Sequence, residues 1–304
     1  MEKVSFAKRI GKERLETVYD LLFVTPQLTL YLCFTIISFF VAIPMILTDR
    51  TSFLDQTVKF VGLKNFVLIF QKPFVTEFLE ALQRSIIFLF LNYSTVFIFG
   101  LTFALLMYEY TAKYKRSFFT VIYLPYMISG LGAGMLLMLL FGKDTGYVNL
   151  LLTDLGLISE PLDIKSKTVT TFALPILTGW RYAGLNMAFF LGGLLSIPTD
   201  TVEAAVVDGA NYRQKLRYIY LPQIIPSIVS ATVLCLIGSF NIFDELVGLG
   251  ALYGNQNAVL MSVFVYKKGF TVGLAQSVTV SMLVFVPLII IAFMLTRWQK
   301  KQQY

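Results

Sequence analysis

The sequence predicts an all-α integral membrane protein, a bundle of six transmembrane helices. The composition is the first observation: 57% of the 304 residues are hydrophobic, only 14% are charged, and the mean hydropathy is +0.72. Soluble globular domains are about 45–50% apolar and about 25% charged. Secondly, six apolar stretches are each long enough to cross the hydrocarbon of a bilayer, which takes roughly 20 helical residues. Thirdly, these stretches lack the alternation that is typical of barrel strands.

The predicted spans are residues 22–47, 86–108, 118–141, 172–195, 224–243 and 277–297. The first apolar stretch is too long for a signal peptide and has no small-residue cleavage site, so we interpret it as an uncleaved span. Turn residues in the connection 142–169 predict a short amphipathic helix near 148–155. The whole chain, 1–304, is predicted to form a single transmembrane domain.

The distribution of lysine and arginine predicts the orientation. Alternate connecting segments are richer in these residues, beginning with the basic stretch 3–14 and including 109–117, 196–223 and 297–304. The positive-inside rule places the richer set in the cytoplasm, so both termini and the loop 196–223 are predicted to be cytoplasmic. This topology explains the net charge of +7, and no nucleic-acid partner is expected.

Several kinds of chemistry are not expected of this chain. It contains no histidine, which excludes imidazole catalysis and histidine metal sites. Cys33 and Cys235 fall inside apolar spans, where we expect inert thiols. No phosphate-binding Gly-x-x-x-x-Gly-Lys-Ser/Thr motif occurs. We therefore expect no enzyme activity, no metal and no cofactor bound by this chain.

The loop between the fourth and fifth spans has the most specific local pattern. Pro198 should end the preceding helix, and Asp200 with Glu203 offers a capping box for a short new one. Gly209 can take the left-handed conformation that ends this helix. Asn211 is a suitable N-cap for a second helix.

The second helix is expected to end at Leu221-Pro222, which makes the loop a stiff helix–turn–helix. Such stiffness suits an element that passes the movement of a partner into membrane helices. We expect an apolar docking face formed by Val202, Ala205 and Val206. A basic rim is expected from Arg213, Lys215 and Arg217. A basic connector with ordinary caps is the simpler alternative.

The spacing of this loop resembles the coupling loop of ABC importer permeases. Glu203-Ala204-Ala205 is followed by Gly209, and then by Ile-x-Leu-Pro at residues 219–222. The resemblance implies a cytoplasmic coupling helix within a six-span permease bundle, with the coupling loop at 199–222. The residues that it assigns to ATPase coupling are Glu203, Ala204, Ala205, Asp208, Gly209, Ile219, Leu221 and Pro222.

Further stretches are similar to the maltose/glycerol-phosphate branch of carbohydrate permeases, among them residues 60–66, 124–126, 179–198 and 240–245. This resemblance implies an ATP-driven, binding-protein-dependent sugar importer of the bacterial cytoplasmic membrane that works by alternating access. The implied partners are a second permease in a heterodimer, two ATP-binding subunits that carry the ATP and Mg, and an extracytoplasmic solute-binding protein. The Val-Gly-Leu-x-Asn-Phe stretch at 61–66 is similar to the first permease of such pairs.

The resemblance also implies a sugar cavity near mid-membrane, beside the spans that flank the coupling loop. Sugar sites combine hydrogen-bonding side chains with aromatic faces. The candidates are Arg181, Tyr182, Asn186, Ser239, Phe240, Asn241 and Phe243. For Arg181 the alternative is a side chain that extends to the membrane interface, and for the others it is helix packing.

Three alternatives stay open at this point. Within the same branch, the solute could be glycerol phosphate or a polyol. An ion-driven carrier usually has an acidic or histidine relay in mid-membrane, whereas Glu109, Asp244 and Glu245 fall at the ends of predicted spans. A membrane enzyme would need a cluster of catalytic groups, and no such spacing is recognisable.

Overall fold

The computed structural model describes residues 19–110, 114–143 and 146–302, so the basic stretch 3–14 and the last two residues lie outside the described part. Within it the secondary structure is helical, apart from an isolated bridge between Thr48 and Phe60. The helices are α1 (Tyr19–Met45), α2 (Lys64–Ile69), α3 (Phe74–Glu109), α4 (Lys115–Met127), α5 (Gly130–Phe141), α6 (Tyr147–Asp154), α7 (Lys167–Leu195), α8 (Thr199–Val207), α9 (Tyr212–Gln223), α10 (Ile225–Asn241), α11 (Asp244–Gly248), α12 (Met261–Thr271) and α13 (Leu274–Gln302).

The long helices α3 and α7 form the most extensive helix pair of the bundle. They approach closely at Gly100, where an added Cβ would lie 2.8 Å from the Cβ of Asn186. Small residues permit such an approach in membrane bundles. Helix α10 packs against both α3 and α7, so these three helices are in mutual contact.

Helix α3 begins at Phe74, twelve residues before the predicted span 86–108. The turns before residue 86 contain charged residues, so the mean hydropathy of this stretch is too low to predict a membrane span. Glu80 pairs with Arg84 at 2.8 Å on the same helix face, and Glu77 pairs with Lys268 of α12 at 2.7 Å. Paired charges four residues apart are compatible with a helix, so the helix continues where the apolar pattern stops.

The predicted span 118–141 is not one straight helix. It divides into α4 and α5, which are bent by 88°. Ile128 has an extended backbone with ψ of 134°, and the hydroxyl of Ser129 accepts a hydrogen bond from the amide of Gly132 at 3.1 Å, which caps α5. A serine N-cap satisfies an amide that has no partner inside the helix, so a new helix begins here.

Three helices of the described part are long and apolar enough to cross a membrane by themselves, namely α1, α3 and α13. The number rises to six if each of three bent pairs counts as one span; these pairs are α4 with α5, α7 with α8, and α9 with α10. The number of crossings therefore stays a prediction. In the connection before α7, the short helix predicted near 148–155 is confirmed as α6, whereas its amphipathic character is not, since its buried residue is the polar Asn149.

Two hydrophobic clusters form the core. One includes Ile69, Phe88, Leu246 and Val280 and joins α3, α10, α11, α12 and α13. The other includes Phe190 and packs α3 and α7 against the segment after α8. This second cluster fixes the base of the predicted coupling loop to the bundle.

Candidate coupling loop and substrate cavity

The predicted coupling loop folds as two short helices joined by a tight turn. Helix α8 follows α7 at an angle of 74°. Pro198 precedes α8 as its N-cap residue, but no side chain caps the helix there. The expected capping box of Asp200 and Glu203 is therefore wrong, since proline takes the cap position and has no side chain that could accept a hydrogen bond.

The turn after α8 has the conformation that the glycine predicted. Gly209 has φ of +76°, in the left-handed region. Its amide donates to the carbonyl of Val206 at 3.1 Å, and the amide of Ala210 donates to the carbonyl of Ala205 at 2.9 Å. These two bonds form the Schellman motif, which satisfies the last carbonyls of a helix. The prediction for Gly209 is confirmed.

The start of α9 is also confirmed. The Asn211 side chain accepts from the amide of Gln214 at 3.0 Å, and the Gln214 side chain accepts from the amide of Asn211 at 2.8 Å. Helix α9 does not end at Leu221-Pro222, because a π turn at Leu216–Tyr220 shifts the hydrogen-bond register and the helix runs on to Gln223. Pro222 has no amide hydrogen to donate, and it lies in the first turn after the π turn, where a missing amide donor is tolerated.

The residues assigned to coupling lie mainly on the surface. Glu203, Ala204, Asp208, Gly209 and Pro222 are exposed, and Ala205, Ile219 and Leu221 are half-buried. The exposed apolar surface differs in part from the expected docking face. Val206 is exposed by 57% and Val207 by 86%, whereas Val202 is partly buried against the second core cluster. Lys215 leaves the expected basic rim and forms an ion pair with Glu109 at the end of α3.

A cavity of about 190 Å³ lies between α3, α7 and α10. Three of the predicted residues line it, namely Tyr182, Asn186 and Ser239. Phe240 is instead buried in the core, and Asn241 is exposed. Phe243 faces the ring of Tyr266 at 5.1 Å and lines a separate, open cavity of about 700 Å³.

Helix α3 provides a part of the wall that was not predicted. The Asn92 amide donates to Ser239 Oγ at 3.1 Å, and its carbonyl oxygen accepts from the Thr178 hydroxyl at 2.7 Å. Asn92 thereby links the three helices that line the cavity. An asparagine in the middle of a predicted apolar span is its signal in the sequence, whereas the family resemblance placed the cavity beside the spans that flank the coupling loop.

Arg181 does not line this cavity and does not extend to an interface. It is 8% exposed and forms an ion pair with Glu245 of α11. Its Nε donates to the carbonyl of Ile128 at 2.8 Å, and its Nη1 donates to the Tyr182 hydroxyl at 3.2 Å. Because α11 packs back against α5, Glu245 is buried, although the sequence placed it at the end of a span.

The contact between α5 and α11 depends on glycine. A Cβ at Gly130 would lie 2.9 Å from the carboxylate of Glu245. Only a residue without a side chain leaves room for this carboxylate beside the helix start. Arg181 therefore connects α7, the break between α4 and α5, and α11 in one buried polar cluster.

The chain is similar to known transport proteins over most of its length. It is 32% identical over 216 residues to the arabinooligosaccharides transport system permease protein AraP of Halalkalibacterium halodurans, and this match covers 70% of the chain and 66% of that relative. It is 27% identical to the lactose transport system permease protein LacF of Rhizobium radiobacter, over 93% of the chain and 96% of LacF.

A similar fold is found in the crystal structure of a bacterial ABC transporter involved in the import of the acidic polysaccharide alginate. The two chains superpose with a TM-score of 0.79 at 21% identity, over 96% of this chain and 99% of the other. The all-α fold is therefore that of an ABC importer permease. Residues 97–302 match the family described as binding-protein-dependent transport system inner membrane component. This chain, a membrane transport component rather than an enzyme, belongs to that family.

Proposed function

We propose that the chain is the permease subunit of an ATP-driven importer for an oligosaccharide or sugar derivative, working by alternating access. The observation that carries the proposal is the exposed helix–turn–helix α8–α9, which has the Glu-Ala-Ala, Gly and Ile-x-Leu-Pro pattern in a chain of this family. Transport of sugars by the relatives named above supports the solute class.

The chemistry of the cavity also favours a sugar. Its polar lining consists of amides, hydroxyls and a thiol, from Asn92, Thr178, Tyr182, Asn186, Cys235 and Ser239. Among the described residues that line it, none is charged. Neutral hydrogen-bonding groups with an aromatic ring suit sugar hydroxyls and the apolar face of a sugar ring.

The same lining argues against the alternative of an anionic solute such as glycerol phosphate. Arg181 is the cation that would have suited a phosphate, but Glu245 neutralises it and it lies outside the lining. The ion-driven carrier is also disfavoured, because Glu245 is already paired. A free carboxylate that binds and releases a cation would be required in such a carrier.

The proposal includes the partners and the orientation. A second, different permease would complete a heterodimer. Of two ATP-binding subunits carrying ATP and Mg, one would dock on α8 of this chain and the other on the partner permease. A solute-binding protein would deliver the sugar from outside the bacterial cytoplasmic membrane, with both termini and the segment 199–222 in the cytoplasm. This chain would bind no cofactor of its own.

The test is to purify the tagged chain from native membranes with its companions and to measure ATPase activity in liposomes with the binding protein. We expect arabino-oligosaccharides, lactose or malto-oligosaccharides to stimulate hydrolysis, and glycerol 3-phosphate to have no effect. Purification without an ATPase, or uptake that follows an ion gradient after ATP depletion, would contradict the proposal.

A further inference from the structure

A partly buried polar cluster links the segment 199–222 to the end of α3. The cluster consists of Glu109, Lys215 and Tyr220, and we call it the Glu109 cluster. The Lys215 ammonium lies 3.0 Å from Glu109 Oε1, and the Tyr220 hydroxyl donates to the same oxygen. Glu109 is the last residue of α3, whereas the other two belong to α9.

Burial makes this contact stronger than an ordinary surface ion pair. The Lys215 and Glu109 side chains are 13% and 18% exposed, and Tyr220 is fully buried. The ring of Tyr220 packs edge-on against Tyr108 at 5.5 Å between centroids. Exposed ion pairs are weak, but a partly desolvated carboxylate with two donors is bound more firmly.

The cluster connects α3 to α9, two helices that are not adjacent along the chain. Helices α7 and α10 adjoin the coupling loop along the chain, so movement of the loop reaches them through covalent bonds. Helix α3 is separated from α9 by about a hundred residues, and Glu109 bonds to Lys215 across a sequence separation of 106. Movement of α9 therefore reaches the cytoplasmic end of α3 through side-chain contacts.

Helix α3 then extends to the cavity. Asn92 of α3 lines the cavity and lies 17 residues before Glu109, which corresponds to about 25 Å along a helix at 1.5 Å per residue. No proline interrupts α3 between these positions. A continuous helix displaced at one end shifts its other residues with it.

We infer that Glu109 is a positioning residue that makes α3 move together with the coupling loop, so that ATP-driven movement reaches the Asn92 side of the cavity. The inference rests on the proposed function, because it needs an ATPase that moves the loop. It adds a second route, through α3, to the covalent route through α7 and α10. This route adds to the packing of α3 on α7, and it acts at the end of α3 that lies nearest to α9.

The experiment uses the complete importer in liposomes and measures sugar taken up per ATP hydrolysed. Glu109→Ala removes both bonds, and Tyr220→Phe removes only the hydroxyl bond while its ring still packs on Tyr108. We expect the uptake per ATP to fall about five- to tenfold for Glu109→Ala and less for Tyr220→Phe. Binding-protein-stimulated ATP hydrolysis should persist, because the docking surface on α8 is unchanged.

Two controls separate coupling from folding. Glu160→Gln and Tyr147→Phe change exposed residues outside the bundle core and should leave the ratio unaltered. The exchange variant Glu109→Lys/Lys215→Glu restores an ion pair of reversed direction, and we expect it to recover the ratio to within about twofold of the wild type.

An unchanged ratio in Glu109→Ala would overturn the inference, and so would equal losses of uptake and hydrolysis, which indicate a purely structural role. If Glu109→Ala does not assemble, the uptake per ATP is measured in Tyr220→Phe and in the exchange variant. An unchanged value in Tyr220→Phe would then overturn the inference. Absence of ATP-driven uptake by the wild-type importer would instead refute the proposed function, and is recognised before any variant is compared.

Discussion

At the scale of single residues, Arg181 and Glu245 show how a membrane bundle accommodates buried charge. Isolated charges in a membrane interior are costly, and here each is neutralised by the other. Replacing a buried pair by apolar residues is often harmless, whereas removing one partner leaves an uncompensated charge. The pair should therefore respond very differently to single and double substitution.

We expect Glu245→Gln to destabilise the protein by about 3 kcal/mol, because it leaves the Arg181 charge without a partner. The double variant Arg181→Met/Glu245→Met should recover most of that loss. Unfolding in detergent, followed by circular dichroism against rising sodium dodecyl sulfate, measures both. The matched control is Glu80→Gln, whose carboxylate is 55% exposed and pairs with Arg84. An effect no larger than in the control would contradict the expectation.

Asn92 provides a second residue-scale prediction, which concerns transport. Asn92→Ala removes hydrogen-bonding groups from the cavity wall, and we expect the sugar concentration for half-maximal uptake to rise about fivefold, as expected for one lost hydrogen bond. Ser94→Ala, on the exposed face of the same helix, is the control. Equal uptake curves for the two variants would exclude Asn92 from the sugar path.

At the scale of elements, the turn between α8 and α9 depends on one backbone conformation. A side chain at Gly209 would meet no atom within 4 Å, so space does not limit the residue there. The limit is its positive φ, which asparagine tolerates much better than a β-branched residue or proline.

We therefore expect Gly209→Asn to keep most of the uptake and Gly209→Val to lose it, although both side chains fit. The measurement is sugar uptake in membranes that contain equal amounts of importer, together with co-purification of the ATPase. Gly192→Ala is the control, since Gly192 also has open space around it but lies inside α7 with ordinary helical φ. Similar losses for valine and asparagine would show that the turn conformation is not what matters.

At the scale of the whole molecule, the proposed orientation makes opposite ends of the bundle accessible from opposite sides. In a background with Cys33→Ser and Cys235→Ser, we expect Thr153→Cys on α6 to react with an impermeant maleimide in intact cells. Arg213→Cys on α9 should react only after the membrane is permeabilised. Labelling of Arg213→Cys from outside would reverse the topology and remove the basis for ATPase docking at the loop.

The sequence alone predicted those structural features whose stabilising contacts join residues close together along the chain. Long apolar runs determine the membrane helices, because backbone groups in lipid must be bonded within the helix. The Gly209 turn and the Asn211 cap were equally predictable, because their hydrogen bonds join residues three to five positions apart. The limits of α3 and the break at Ile128 were not predicted, although the Glu80–Arg84 pair and the Ser129 cap are also local. Hydropathy alone reports neither an ion pair at the end of an apolar run nor a cap inside one.

Only the tertiary structure decided which distant side chains meet. Asn92, Thr178 and Ser239 come together across the cavity wall, Arg181 meets Glu245, and Glu109 meets Lys215. The sequence indicated each as a polar residue in or beside an apolar span, but contained no signal of its partner. Such partners are set by close helix approach at glycines and by the fold of α11 back onto α5. These packing choices, and not local propensity, decide whether an intramembrane polar residue lines a cavity, neutralises a charge or joins two helices.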